Sequence, residues 1–129
     1  MLDRFFDNDV STLQQKIVLD ALRPADKRDA RGVEDAHPAG DGVSQAGRRP
    51  GDRPWAMGQD FSLADCGAVP FLFYGHWTHP IPEAHGRVHA YLDRLLGLAS
   101  MRHVIDEARP SRSWFPLRGT PPKDALPLD

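Results

Sequence analysis

The sequence predicts an all-α protein with a single domain. Apolar side chains recur at steps of three and four residues in several segments, which is the spacing of one helix face. No segment alternates apolar and polar residues as a half-buried strand does, and no internal repeat is visible. The 129 residues suffice for one packed core. We expect this domain, a helical bundle, over residues 1–116 and a flexible proline-rich tail over residues 117–129.

The first predicted helix runs from Leu2 to Leu22 and is amphipathic. Its apolar residues keep to one face: Leu2, Phe5, Phe6, Val10, Leu13, Ile17 and Ala21. Arg23-Pro24 provides the stop, because the residue before a proline is disfavoured in the helical region. Residues 25–36 predict a short polar helix, which Gly32 weakens.

Residues 37–54 break the helical pattern. They contain four glycines and three prolines and almost no large apolar side chain, so we predict an irregular, disordered loop. Glycine, proline, arginine and alanine all have GC-rich codons, and an abrupt block of them also fits translation in a shifted reading frame. If no alternative frame of the coding DNA across these codons restores an apolar 3.6-residue period, the frameshift hypothesis is wrong.

Order returns at Trp55, ahead of the most apolar segment of the chain. Ser62 is a good N-cap, and Asp65 can accept a hydrogen bond from the backbone of Ser62, which together form a capping box. Residues 63–77 are apolar nearly all round, and this predicts a central, buried helix. Pro70 lies inside it and should bend it, because proline removes one backbone donor.

Two further amphipathic helices are predicted downstream, each with its own apolar face. The first covers Glu83 to Leu98, and the second covers Ser100 to Ala108. Arg109-Pro110 closes the second helix, and Trp114 and Phe115 follow before the sequence becomes rich in proline.

Charge and composition exclude several classes of partner. The net charge is −2 and the pI is near 6.3, which gives no electrostatic reason to expect nucleic acid or an anionic membrane. The longest nearly uncharged run, residues 61–77, is too short to span a bilayer. The N-terminus lacks the basic start and apolar stretch of a signal peptide, and the single cysteine fits a reducing compartment. We therefore expect a cytoplasmic protein.

The nucleophilic and metal-ligating side chains do not form a recognisable motif. Cys66 falls in the first turn of the predicted buried helix, where structural filling is the expected role. His85 and His89 are four residues apart, but no H-E-x-x-H pattern or cysteine partner accompanies them. We expect four histidines to be exposed around a turn without binding a metal: His76, His79, His85 and His89. We expect no catalytic triad, because Ser62 is committed to capping.

The segment before the central helix resembles that of the C-terminal domain of glutathione S-transferases. The resemblance lies in W-x-x-G-x-x-F-S-L-A-D-C, which runs from Trp55 to Cys66 and includes the capping box of Ser62 and Asp65. Residues 3–7 (DRFFD), 90–95 (AYLDRL) and 107–110 (EARP) resemble the first and last helices of that domain. The likeness covers residues 2–36 and 55–116, and residues 37–54 fall where the family has its second long helix.

This resemblance implies a site for an apolar molecule. In the family, the first helix and the C-terminal residues line the pocket for the hydrophobic electrophile that is conjugated to glutathione. Carried over, the pocket would be lined by Phe6, Val10, Leu13, Trp114 and Phe115. Ordinary core packing is the alternative, and the helical stripe favours it at Leu13.

The resemblance also limits the expected activity. The family binds glutathione as co-substrate on a preceding thioredoxin-like domain, and this chain is too short to include one. No catalytic residue or covalently bound cofactor is therefore expected, and conjugation by this chain alone should be weak or absent. The alternatives are a non-catalytic protein-interaction module and a decayed fragment of a transferase. A homodimer or a separate thioredoxin-like partner fits the family pattern.

Overall fold

The structure, a computed structural model, describes residues 12–36, 53–78 and 80–117. Helix α1 covers Thr12–Leu22, α2 Ala30–Ala36, α3 Leu63–Thr78, α4 Gly86–Leu96 and α5 Ala99–Ala108. Short 3-10 turns cover Ala25–Lys27 and Arg109–Trp114. Within these ranges β-type pairing is limited to one isolated bridge between Trp55 and Gly58. The predicted all-α class is confirmed.

The N-terminal half follows the prediction with one division. Helix α1 ends at Leu22 as predicted, and residues 2–11 of the predicted first helix lie outside the described residues. The polar helix predicted over residues 25–36 is divided into the first 3-10 turn and α2, because Asp29 forms a hydrogen bond with α1. Its backbone N–H donates to Asp20 Oδ1 at 2.7 Å, while its own Oδ1 accepts from the Gly32 N–H at 2.9 Å and starts α2.

The C-terminal helices are close to their predicted positions. Helix α3 extends one residue further than expected, to Thr78, and remains helical through Pro70. Helix α4 is shorter than predicted at its start, because residues 83 and 84 form a turn in which the His85 N–H donates to the Pro82 carbonyl at 2.9 Å. It ends at Leu96, and Leu98 has extended backbone before α5 begins.

Helix α3 occupies the centre of the bundle. It packs against α1 on one side and α4 on another, and α5 packs on α4 and on the last 3-10 turn. Leu72 of α3 and Leu95 of α4 are completely buried. The buried core contains Ala68, Val69, Leu72, Phe73, Ile81, Val88, Tyr91, Leu92, Leu95, Leu96 and Ile105. The predicted central helix is confirmed, but it is not buried all round. An exposed face runs along it, formed by residues three or four positions apart: Leu63, Cys66, Pro70 and Tyr74.

A glycine allows the close approach of α1 to α3. The Gln14 side-chain amide donates a hydrogen bond to the Phe71 carbonyl. A Cβ added to Gly75 would overlap the same amide nitrogen. The bare backbone at Gly75 therefore leaves room for the polar side chain that joins the two helices.

Candidate functional site

The Asp65 carboxylate connects Ala56 and Ser62, which lie near the two ends of the segment before α3. Asp65 is 0% exposed. Its Oδ2 accepts hydrogen bonds from the Ser62 N–H and the Ser62 hydroxyl, both at 2.8 Å. Its Oδ1 accepts from the Ala56 N–H at 2.8 Å and from the Tyr91 hydroxyl at 2.6 Å. One carboxylate thus connects the turn before α3, the start of α3 and the middle of α4.

The capping box is present in part. Asp65 accepts the backbone N–H of Ser62 as predicted. The Ser62 hydroxyl, however, donates to the same carboxylate, and the Asp65 N–H donates to the Ser62 carbonyl at 3.0 Å. The serine therefore serves as a partner of the buried charge, and the first turn of α3 is closed by backbone bonds.

The hydrogen bonds around Asp65 control its titration. Burial by itself would raise the pKa of this carboxyl. The bonds from Ala56, Tyr91 and Ser62 outweigh burial and hold the pKa of Asp65 below its ordinary value of 3.8. Burial and the neighbouring Asp65 raise the pKa of Tyr91, so its phenol remains a donor. These hydrogen bonds therefore stabilise the ionised form of the Asp65 carboxyl group.

A cation and two aromatic rings complete this end of α3. The Arg94 guanidinium lies over the Trp55 ring at 5.9 Å from the centroid and donates to the Pro54 carbonyl at 2.6 Å. Trp55 and Phe61 meet edge to face with centroids 5.2 Å apart. We call Ala56, Ser62, Asp65 and Tyr91, with the Trp55–Arg94 pair, the Asp65 junction.

A different face of α3 borders an apolar cavity of about 320 Å³. Helix α5 and the last 3-10 turn form the opposite wall. The cavity is lined by Cys66, Val69, Pro70, Phe73, Tyr74, Trp77, Leu96, Met101, Val104, Ile105, Ala108, Ser111, Arg112 and Phe115. We call it the α3–α5 cavity.

Four aromatic rings form one end of this cavity. Phe115 is nearly parallel to Tyr74, with centroids 6.3 Å apart and planes at 19°. It meets Trp77 edge to face at 5.2 Å, and Trp77 contacts Phe73 at 4.9 Å. Such contacts stabilise an aromatic cluster beyond the area it buries, and they offer ring faces to a bound molecule.

The cavity wall includes one of the five residues that the sequence analysis assigned to a pocket. Phe115 lines the cavity, whereas Trp114 is 81% exposed and does not. Phe6 and Val10 lie outside the described residues, and the side chain of Leu13 is likewise not described. The sequence prediction for these three residues therefore stays a prediction. The signal that could have located the cavity was the run of aromatic and apolar residues on α3 itself.

Cys66 does not fill the core as predicted. It is exposed and lies in the wall of the α3–α5 cavity. The burial prediction is wrong because Cys66 lies on the same face of α3 as Pro70 and Tyr74, and this face is exposed. The thiol consequently faces the space beside α3.

The prediction of exposed histidines is wrong for His76, which is 3% exposed. Its Nδ1 accepts the Ile81 N–H at 2.9 Å, and His89 Nε2 lies 3.1 Å from the Ile81 carbonyl oxygen. The two rings meet edge to face, with centroids 5.5 Å apart. These histidines hold the α3–α4 connection, and no group of three or more metal-ligating side chains occurs among the described residues.

Two further observations concern membrane spans and similarity to known proteins. None of the helices in residues 12–36, 53–78 and 80–117 has the length and apolar character needed to cross a bilayer. No protein-family model, curated protein or solved structure matches the chain significantly. The chemistry of the α3–α5 cavity is therefore the basis for a functional proposal.

Proposed function

We propose that this chain binds a small apolar molecule in the α3–α5 cavity, as the helical domain of a glutathione S-transferase-like protein. The observation that carries the proposal is the cavity itself, with its volume of about 320 Å³ and four aromatic rings in its wall. Ligand pockets in proteins commonly have volumes of 300–1,000 Å³ and mainly apolar linings. The occupant is therefore an apolar small molecule with a ring system.

The sequence motif supports the family assignment within this proposal. Residues 55–66 resemble the segment that leads into the family's central helix, and α3 of this chain begins at Leu63. In that family, a thioredoxin-like domain lowers the thiol pKa of glutathione, and the helical domain holds the apolar electrophile. Conjugation then proceeds by attack of the thiolate. The described residues contain no sheet of a thioredoxin-like domain, so we assign no catalytic residue to them.

Cys66 offers a direct test of occupancy, because it is the only cysteine in the chain and lies in the cavity wall. We expect N-phenyl-1-naphthylamine, a neutral apolar fluorophore, to bind with enhanced emission. Bound probe should slow the reaction of the thiol with a chromogenic disulfide several-fold. A thiol that is unreactive before any probe is added would mean that the cavity is already filled by the chain, and would contradict the proposal.

Matched variants locate the binding site. Ala108→Trp adds a large ring inside the cavity, whereas Ala84→Trp adds one on an exposed turn outside it. Probe affinity should fall at least tenfold in Ala108→Trp and stay unchanged in Ala84→Trp. Equal affinities in the two variants would place the probe elsewhere.

The transferase part of the proposal has its own assay. With glutathione and a chromogenic aryl halide, we expect no turnover above the uncatalysed rate from this chain alone. We expect turnover only after a separately expressed thioredoxin-like partner domain is added. Turnover by the isolated chain would show that it contains a catalytic group and would overturn the non-catalytic assignment.

A second candidate is a protein-interaction module, which exposed apolar side chains favour. Leu63 is 77% exposed, Val104 56% and Trp114 81%. Light scattering after size exclusion tests it: a mass that rises with concentration favours association, and a monomer at all concentrations argues against it. A sharp thermal transition by circular dichroism would count against the further alternative of a decayed fragment.

A further inference from the structure

The indole nitrogen of Trp77, a residue in the wall of the α3–α5 cavity, is buried and has no hydrogen-bond partner in the described part of the chain. Bulk water does not reach this nitrogen, so water does not satisfy its N–H either. A buried donor without an acceptor costs free energy, and native proteins contain few of them. The Trp77 N–H can therefore gain from an acceptor that a bound molecule supplies.

The surroundings of the Trp77 ring consist largely of other aromatic rings. The distances between ring centroids are 4.9 Å to Phe73, 5.5 Å to Tyr74 and 5.2 Å to Phe115. The faces of such rings are only weak hydrogen-bond acceptors. The aromatic cluster thus provides apolar contact to the indole and leaves the stronger hydrogen bond to a ligand.

The cavity can open toward this nitrogen at Tyr74. This ring meets the Trp77 ring edge to face, and its side chain is 42% exposed. Exposed side chains change rotamer within nanoseconds. Along α3 the rest of the cavity wall includes Val69 and Phe73, which have no polar side-chain atom. An acceptor that reaches Trp77 is therefore the polar group of an otherwise apolar molecule.

We infer that the α3–α5 cavity selects a neutral apolar molecule with one hydrogen-bond acceptor, such as a ketone carbonyl, and that Trp77 Nε1 donates to it. This inference rests on the proposed function and specifies its ligand class. An indole nitrogen donates and does not accept, so a ligand whose only polar group is a donor gains nothing from it. A hydrocarbon of the same shape leaves the indole unpaired. Trp77 is thus the residue that determines specificity.

Two planar ligands separate this hydrogen bond from apolar contact. Fluorenone and fluorene share their ring skeleton, and the first has a carbonyl where the second has a methylene. Displacement of N-phenyl-1-naphthylamine measures both affinities, and we expect the wild-type chain to prefer fluorenone about fivefold. Trp77→Phe keeps an aromatic ring without the N–H and should abolish this preference. Trp114→Phe is the matched control at an exposed position outside the cavity, and it should keep the preference.

The indole proton of the wild-type chain gives a second measurement, which does not depend on the folding of Trp77→Phe. The chain has three tryptophans, and therefore three indole signals in a nitrogen–proton correlation spectrum. The signal that persists in both Trp55→Phe and Trp114→Phe belongs to Trp77. Fluorenone should move its proton further downfield than fluorene does, because a hydrogen bond to a carbonyl deshields the donor proton.

The outcomes distinguish this inference from the proposed function. Fluorene that binds the wild-type chain as tightly as fluorenone, or a preference for fluorenone that survives in Trp77→Phe, overturns the inference and leaves the apolar cavity in place. A Trp77 indole proton that responds equally to the two ligands overturns it as well. If fluorenone, fluorene and N-phenyl-1-naphthylamine all fail to bind the wild-type chain, the proposed function is wrong too.

Discussion

The Asp65 junction and the α3–α5 cavity both border α3, but the first depends on a buried charge and its hydrogen bonds, and the second on apolar contacts. In the junction, a buried carboxylate has four hydrogen-bond donors at 2.6–2.8 Å. In the cavity, aromatic and aliphatic side chains surround about 320 Å³ of open space. A buried charge needs every partner in place, whereas an apolar wall tolerates a gap at a lower cost. The first region can therefore fix the fold while the second stays available to a ligand.

The comparison predicts its largest effect at Asp65 itself. Asp65→Ala leaves the Ala56 N–H, the Ser62 N–H and the Tyr91 hydroxyl without their acceptor, and should lower the free energy of unfolding by about 3–5 kcal/mol. Urea unfolding followed by circular dichroism measures this loss. Asp60→Ala removes an exposed carboxylate nearby and should cost less than about 0.5 kcal/mol. Similar losses in the two variants would mean that the junction does not fix the fold.

Acid should weaken the junction in a smaller and graded way. The folded-state pKa of Asp65 is lowered. Its contribution to stability is therefore complete above the ordinary value of 3.8 and is lost as the pH falls through the folded-state pKa. The difference in unfolding free energy between wild type and Asp65→Asn should be constant from pH 7 to 5. It should shrink below about pH 4. A difference that does not change with pH would contradict the assigned titration.

Tyr91→Phe removes one donor and keeps the ring in the core. We expect a loss of about 1.5–2 kcal/mol in the free energy of unfolding, which is typical of a hydrogen bond to a charged group. Tyr74→Phe is the control, since that ring lies by the cavity and is 42% exposed. It should change stability by less than about 0.5 kcal/mol. Equal effects of the two substitutions would remove the distinction between the two regions.

The smallest effect is expected at the cavity. Phe115→Ala removes the ring that packs on Tyr74 and Trp77, and should weaken binding of N-phenyl-1-naphthylamine about fivefold, or about 1 kcal/mol. Trp114→Ala changes a neighbouring but exposed ring and should leave the affinity unchanged. Isothermal titration of both variants decides whether Phe115 or Trp114 serves the ligand. A greater loss in Trp114→Ala would contradict the placement of the ligand in the α3–α5 cavity.

The helices of this protein are readable from its sequence because their signals are local. The apolar period of α4, the stop at Arg23-Pro24 and the bond between Ser62 and Asp65 each depend on residues a few positions apart. The split at Asp29 was not foreseen. It depends on the Asp20 carboxylate accepting a backbone N–H nine residues away, a contact that no periodic pattern records.

The site was less predictable, since its walls come from distant segments. Periodicity shows which apolar side chains share a helix face, but it does not show whether that face packs in the core or lines a cavity. Cys66 and Phe115 are examples. The burial of His76 has a similar origin. His76 is buried because the Ile81 N–H, from the segment after α3, donates a hydrogen bond to its ring inside the core.

The three tryptophans of the chain are distributed so that each has a different environment. Trp55 lies under the Arg94 cation, Trp77 stands in the aromatic wall beside Phe115, and Trp114 is almost fully in solvent. Their emission spectra and quenching by iodide should therefore differ, with Trp114 emitting furthest to the red. Variants that keep one tryptophan at a time would turn this arrangement into separate optical reporters of the junction, the cavity and the surface.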